Sequence, residues 1–184
     1  MDNSSFLPHK GYYRKLKSFQ IATCIYDITV YFANKYLEKS SRTIDQMIQA
    51  ARSGRQNIAE GSAASETSKE TELKLTNVAR ASLQELLLDY EDYLRQNSLE
   101  LWAEHDYRTI QTRTVCKTHN DSEFYLKAIA VRSPETIANI AIVLIHQADF
   151  MLCRLIERQK QDFLEKGGIR EQMATARTQY RKGK

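Results

Sequence analysis

This sequence of 184 residues contains very few of the residues that interrupt helices. It has only 2 Pro and 6 Gly, and two of the glycines, Gly167 and Gly168, stand together near its end. A fold of many short strands needs frequent turns, and turns draw heavily on glycine and proline. The scarcity of both residues therefore disfavours an all-β protein and predicts long helices.

Cysteines and long apolar runs are scarce as well. The three cysteines (Cys24, Cys116 and Cys153) are odd in number and far apart, so no disulfide framework is expected and a reducing compartment is favoured. Residues 1–20 lack the apolar core of a secretory signal. The longest apolar run of the most apolar segment, 140–145, is far shorter than the roughly 20 residues of a membrane helix. We therefore expect a soluble, cytoplasmic protein with no membrane partner.

The net charge of +4 is unevenly distributed. Residues 1–20 carry four basic side chains against one acidic, and residues 151–184 carry nine against four. Between them, residues 21–150 carry fourteen basic and eighteen acidic side chains. Basic ends on a mildly acidic body suit an anionic partner such as nucleic acid, although plain solubilising extensions have the same composition.

The spacing of apolar residues predicts four main helices, because these residues recur at three- and four-residue steps. Gly61 is expected to end the second helix in the left-handed conformation. Ser133 and Pro134 are typical of a helix start and open the fourth helix. The helices are expected at about 12–39 (or 18–39), 43–60, 65–97 (or 68–97) and 134–166. The predicted fold is all-α: an antiparallel up-and-down four-helix bundle.

Two additions accompany the predicted bundle, which spans residues 1–166. The first is an insertion at about 98–121, with a short docked helix followed by a polar connector from Thr112 to Ser122. The second is the basic C-terminal extension 167–184, either a short amphipathic helix or an arm.

The fourth predicted helix is apolar nearly all round, which is typical of a buried helix. Each helix of a four-helix bundle has one side facing outward, so this side of the fourth helix is expected to contact another subunit. Self-association is thus predicted from the sequence pattern. The apolar residues are Ile137, Ala138, Ile140, Ala141, Ile142, Val143, Leu144, Ile145, Ala148, Phe150, Met151, Leu152, Leu155 and Ile156.

A motif in the second helix, within residues 44–62, resembles a known family. Its matching residues are Gln46, Ala50, Arg52, Ser53, Asn57, Ile58, Ala59, Glu60 and Gly61. They are similar to the signature of the four-helix bundle proteins encoded in 23S rRNA intervening sequences, a family that includes accessory variability proteins of diversity-generating retroelements. The insertion and the C-terminal extension resemble a subgroup with a C-terminal suffix. The resemblance implies an up-and-down bundle, a homo-oligomeric ring (a pentamer favoured), and for the retroelement relatives a nucleic-acid partner.

No catalytic, metal or cofactor site is predicted. Cys116 and His119 have the spacing of half a zinc site, but a structural site needs four ligands, so an incidental pair in a loop is favoured. His146 and Asp149 share a helix face; either a catalytic pair or a polar contact inside the bundle would fit, and the contact, with Arg52 or Arg80 as partner, is favoured. Asn57 and Glu60 fit a functional role as residues of the matched motif, but structural hydrogen bonds to nearby backbone or to a facing helix are favoured.

The predicted function is non-enzymatic binding of RNA or DNA by an oligomer, through basic side chains that contact phosphates. Arg52 and Arg55 fit either this surface or ion pairs with acids of the third helix. The alternative function is a structural or adaptor assembly that binds only protein, through apolar strips or the insertion. The candidate nucleic-acid-binding residues are Arg14, Lys15, Lys17, Arg52, Arg55, Arg177, Arg181 and Lys182.

Overall fold

A computed structural model describes residues 13–65 and 67–182 of the chain. Within these ranges all regular structure is helical, which confirms the predicted fold class. A single 3-10 turn, Tyr13–Lys15, precedes the α-helices. In chain order these are α1 (Lys17–Tyr36), α2 (Arg42–Ala64), α3 (Lys69–Gln96), α4 (Tyr107–Thr118), α5 (Ser122–Ile129), α6 (Pro134–Lys166) and α7 (Ile169–Lys182).

The bundle consists of α1, α2, α3 and α6, each packed against two of the others in the order α1, α2, α3, α6 and back to α1. Contacts between α3 and α6 run in opposite directions along the two helices. Thr76 accepts a hydrogen bond from Gln159, and further along α3 Arg80 pairs with Asp149. Residue numbers thus rise on α3 while they fall on α6, so the two helices are antiparallel.

Serine side chains define the starts of three bundle helices. Ser41, Ser68 and Ser133 accept hydrogen bonds from backbone N–H groups in the first turns of α2, α3 and α6. Such N-caps satisfy donors that the helix itself leaves unpaired, and each contributes about 1 kcal/mol. The start of α6 at Pro134, directly after the Ser133 cap, agrees with the sequence prediction.

The prediction that Gly61 ends the second helix is wrong, because α2 continues to Ala64. Gly61 is buried in the helix, and a Cβ at this position would lie 3.3 Å from the backbone oxygen of Glu72 on α3. At Gly54 a Cβ would approach Leu83 Cδ2 to 2.7 Å. Both glycines therefore let α2 and α3 pack closely, in antiparallel order.

The insertion is more helical than predicted. The expected polar connector from Thr112 to Ser122 is wrong, because α4 extends to Thr118 and only three residues separate it from α5. Conversely, residues 97–106 are not helical, and this segment is fixed to α6 by the side-chain amide of Asn139. This amide accepts from the backbone N–H of Trp102 at 2.8 Å and donates to the carbonyl oxygen of Glu100, also at 2.8 Å.

All residues of α6 from Ile137 to Ile145 are buried within a single chain. The side of α6 that faces away from the bundle core is covered by the Trp102 segment and by α4. The chain's own insertion therefore covers the apolar side of α6 that was expected to need another subunit. Self-association stays a prediction, and of the predicted apolar residues of α6 only Phe150 is exposed.

One helix of the described chain, α6, is long and apolar enough to cross a membrane by length and composition. Of its most apolar stretch of 18 residues, 61% is buried inside the bundle, as expected for the core helix of a soluble protein. Counting unbroken apolar runs missed this feature because isolated polar residues such as Asn139 interrupt them. The buried packing is compatible with the predicted soluble protein.

Replacing Tyr90 with phenylalanine is expected to lower the free energy of unfolding by about 1–2 kcal/mol. The Tyr90 hydroxyl donates to Thr29 Oγ1 at 3.0 Å, and the Thr29 hydroxyl donates to the Ile25 carbonyl oxygen at 2.7 Å. Tyr90 and Thr29 are fully buried, so without the Tyr90 hydroxyl the Thr29 oxygen no longer accepts a hydrogen bond and water cannot replace the lost donor. Urea denaturation measures the change. Tyr107→Phe is the control, because Tyr107 is 74% exposed, and equal losses in both variants would contradict the expectation.

Candidate nucleic-acid interface

Helix α7 carries three of the predicted nucleic-acid-binding residues on a projecting arm. It makes at most marginal contact with the other helices. Arg177, Arg181 and Lys182 are exposed, and no carboxylate pairs with them in the described part of the chain. The one acid of α7, Glu171, lies in its first turn and accepts from the Gly168 N–H at 2.7 Å. All charged side chains in the remainder of α7 are therefore basic.

The helical spacing of α7 separates basic from apolar side chains. Arg170, Arg177 and Arg181 follow at seven and four residues and lie on one line along the helix. Met173 and Tyr180, which are 53% and 68% exposed, form a neighbouring line. This confirms the amphipathic-helix alternative for the extension, and it leaves apolar side chains exposed beside the arginines.

A second basic group lies at the end of the bundle from which α7 starts. Arg14, Lys15 and Lys17 are exposed on the 3-10 turn and the first residue of α1. The antiparallel order places the start of α1 at the same end as the C-terminus of α6. Six of the eight predicted residues are thus brought to one end of the molecule.

The other two predicted residues, Arg52 and Arg55, lie midway along α2. Arg52 is exposed, whereas the guanidinium of Arg55 stacks 4.1 Å from the ring centroid of Tyr26 on α1. Neither forms an ion pair with an acid of α3. From Arg55 to the end of α2 is about 14 Å by helical rise, so these arginines form a surface separate from the basic end.

The family-like motif has mainly structural contacts. Asn57 donates to the Ser53 carbonyl oxygen at 2.9 Å and to Ser53 Oγ at 3.1 Å. Ser53 Oγ also lies 2.9 Å from Ser82 Oγ on α3, which links the two helices. Ile58 is buried, whereas Ala59 is half-buried. The expected structural role of Asn57 agrees with these bonds, whereas Glu60 is exposed and has no described partner.

Asp149 is held by two side chains of α3. Arg80 Nε donates to Asp149 Oδ1 at 2.7 Å, and Gln84 Nε2 donates to the same oxygen at 3.0 Å. Of the two partners considered from sequence, Arg80 is therefore the one used and Arg52 is not. His146 does not share this contact, because it is exposed and lines a neighbouring groove.

Cys116 and His119, the half zinc pair, are directed to different surroundings. Cys116 is buried, and burial raises the pKa of its thiol. The His119 ring instead stacks on Phe124 with ring centroids 3.9 Å apart. No group of three or more metal-ligating side chains is present among the described residues.

Sequence reasoning missed an acidic groove between α2 and α3. The groove has a volume of about 610 Å³ and contains Asp45, Glu85 and Asp89. Its lining includes no basic side chain among the described residues. Burial and the neighbouring carboxylates of Asp92 and Glu85 raise the pKa of Asp89. The spacing of acids at 85, 89 and 92 could have indicated this surface, since these positions share a helix face.

A second groove lies between α3, α4 and α6. Its volume is about 400 Å³, and the exposed side chains of Leu101 and Phe150 line it. Trp102 Nε1 and Thr109 Oγ1 are buried beside it and have no hydrogen-bond partner in the described part of the chain. The insertion thus contributes apolar and polar groups to a surface that the alternative, protein-binding function could use.

Comparison with known proteins gives no match to a family model, to a curated protein or to a solved structure. The resemblance read from the Asn57–Gly61 motif therefore stays a prediction.

Proposed function

We propose that this protein is a non-enzymatic, self-associating helical bundle that binds RNA or DNA through phosphate contacts. The observation that carries the proposal is the basic arm α7, on which Arg177, Arg181 and Lys182 are exposed and have no carboxylate partner within residues 13–65 and 67–182. Guanidinium and ammonium groups on an exposed helix are available for phosphates, and each phosphate contact releases condensed counterions.

The basic end of the bundle extends this surface. Arg14 and Lys17 lie at the end from which α7 projects, so one nucleic-acid strand could contact both groups. Single contacts of this kind are weak, but several of them on one assembly act as a polyvalent surface. Arg52 and Arg55 would contribute only to a nucleic acid that also follows α2.

Fluorescence anisotropy of labelled RNA and DNA, titrated with nuclease-treated protein, tests this function. Affinity is expected to fall steeply between low and physiological salt. Arg177→Glu with Arg181→Glu is expected to weaken binding about tenfold or more and to reduce the slope of log affinity against log salt by about 2.

The matched control is Lys127→Glu with Arg132→Glu, which changes the net charge equally but lies on α5 and the turn that follows it. This control should bind almost as well as the unaltered protein. Absence of binding at low salt, or equal weakening in both double variants, would refute phosphate contacts along α7.

A protein partner is the second candidate, favoured by the exposed Leu101 and Phe150 at the groove of the insertion. Apolar contacts there would give an affinity that changes little with salt, which distinguishes this candidate from nucleic-acid binding.

A further inference from the structure

We infer that α7 of one copy packs along the outer face of α3 of a second copy, with its arginines against the acidic groove. This inference rests on the self-association in the proposed function and assigns the surfaces that carry it. It does not depend on nucleic-acid binding.

The two surfaces are complementary in charge. The groove residues Asp45, Glu85 and Asp89 have no basic neighbour in the groove lining described above, and nearby Asp92 has only the exposed Arg95. On α7 the arginines have no acidic partner among the residues that the structure describes. Because Asp89 is partly buried among like charges, a guanidinium placed beside it relieves both the repulsion and the desolvation cost of its charged form.

The two surfaces also match in their apolar side chains. Helix α3 exposes Val78 and Leu88 on the face that carries Glu85, with exposed fractions of 40% and 61%. Helix α7 exposes Met173 and Tyr180 beside its arginines. Packing these faces together removes apolar surface from water, which contributes about 25 cal/mol for each Å² buried.

Helix geometry favours an antiparallel contact. Around the axis of α3, Glu85 and Asp89 lie beside Leu88, on the side that is reached by turning in the direction in which the helix winds. Around α7 the arginines lie on the same side of Met173 and Tyr180. Two helices that face each other bring such equally ordered lines together only when they run in opposite directions. Residues 177 and 181 are four apart, as are 89 and 85, so each arginine can meet one carboxylate.

The antiparallel contact must come from another copy, because α7 folded back from the end of α6 would run parallel to α3 of its own chain. Gln159 of α6 is level with Thr76 of α3. From that level Asp89 lies about 20 Å along α3 in one direction, and Gly167 lies about 12 Å along α6 in the other. Folded back along the bundle, the 14 residues of α7 would cover only about 21 Å of this separation.

Sedimentation velocity of nuclease-treated full-length protein, across a concentration series, tests the inference with two charge-reversal variants. One carries Glu85→Arg and Asp89→Arg, and the other carries Arg177→Glu and Arg181→Glu. Each variant alone is expected to raise the dissociation constant of self-association about tenfold or more. An equimolar mixture of the two should associate again, because each copy then presents the charge that the other needs.

The matched control is Glu123→Arg with Glu157→Arg, which reverses two exposed acids outside the groove and should leave association unchanged. Circular dichroism verifies that all variants remain folded. The inference is overturned if the unaltered protein is monomeric throughout, if the reversals do not weaken association, or if the mixture stays monomeric.

The same variants separate this inference from nucleic-acid binding. Reversal of the groove acids should weaken self-association without weakening contacts to phosphate, whereas reversal on α7 should weaken both. Protein that assembles in the mixture but binds no RNA or DNA would refute only the nucleic-acid function.

Discussion

Replacing Asn139 with leucine is expected to lower the free energy of unfolding by about 3 kcal/mol or more and to loosen the insertion from α6. Asn139 is 1% exposed, and its amide holds Trp102 and Glu100 as described above. Leucine has a similar size but leaves the buried backbone N–H of Trp102 without an acceptor. An unsatisfied buried donor costs about 1–3 kcal/mol. The loss of the Glu100 contact adds to this.

Trp102 provides the measurement, because it is the only tryptophan of the chain and is 9% exposed. In the Asn139→Leu variant its emission should shift to longer wavelength in native buffer as the segment opens to water. A hydrophobic dye should also bind the uncovered side of α6.

Asn34→Leu is the matched control for this substitution. Asn139 also donates to the Glu135 carbonyl oxygen, four residues earlier in α6, at 2.9 Å. Asn34 makes the same kind of bond to the Val30 carbonyl oxygen, but it is exposed and lies on α1. Its replacement should change the free energy of unfolding by less than about 0.5 kcal/mol. Unchanged stability together with unshifted Trp102 emission in Asn139→Leu would show that the amide does not hold the insertion.

The free energy of unfolding is expected to decrease as pH rises above about 9, with Cys24 as a main contributor. Burial raises the pKa of the Cys24 thiol from 9.0 to about 12. Between these values the unfolded chain loses the proton while the folded chain keeps it, so the unfolded state gains relative stability. One such group lowers the free energy of unfolding by about 1.4 kcal/mol for each pH unit in this window, and by almost nothing below it.

Urea denaturation at several pH values from 8 to about 10.5 measures this slope. The Cys24→Ala variant is less stable at neutral pH because it leaves a cavity. Its free energy of unfolding should decline less steeply with pH, with a slope smaller than that of the unaltered protein by about 1 kcal/mol for each pH unit. Cys153→Ala is the control, because Cys153 is only half-buried. If stability falls equally with pH in the unaltered protein and in Cys24→Ala, the Cys24 thiol is excluded as a source of the decline. A remaining slope in Cys24→Ala is expected, because burial also raises the pKa of Cys116 and of Tyr125.

Helix periodicity predicted most of the fold because apolar spacing and caps act within a few residues of the chain. The third and fourth helices were placed to within a few residues, by local signals such as the Ser133–Pro134 start. Gly61 was misplaced because glycine is equally typical of a helix end and of close helix packing. Which of these applies depends on α3, which begins several residues later.

The candidate surfaces were predictable only in part. The basic residues of α7 were found because they follow one another along the sequence. The acidic groove was missed because Asp45 comes from α2 and the other acids from α3. Likewise, an outward-facing apolar side of α6 was expected to need a second subunit, because no local pattern in α4 indicates which helix it covers.

The sequence by itself determined that this protein is helical, which segments form the main helices, and that its two ends are basic, since propensity, capping and charge are properties of neighbouring residues. Tertiary structure alone decided that the insertion covers α6, that Arg80 rather than Arg52 holds Asp149, and that acids of α2 and α3 share one groove. These arrangements depend on which helix faces meet, and that is set by the packing of side chains distant in sequence.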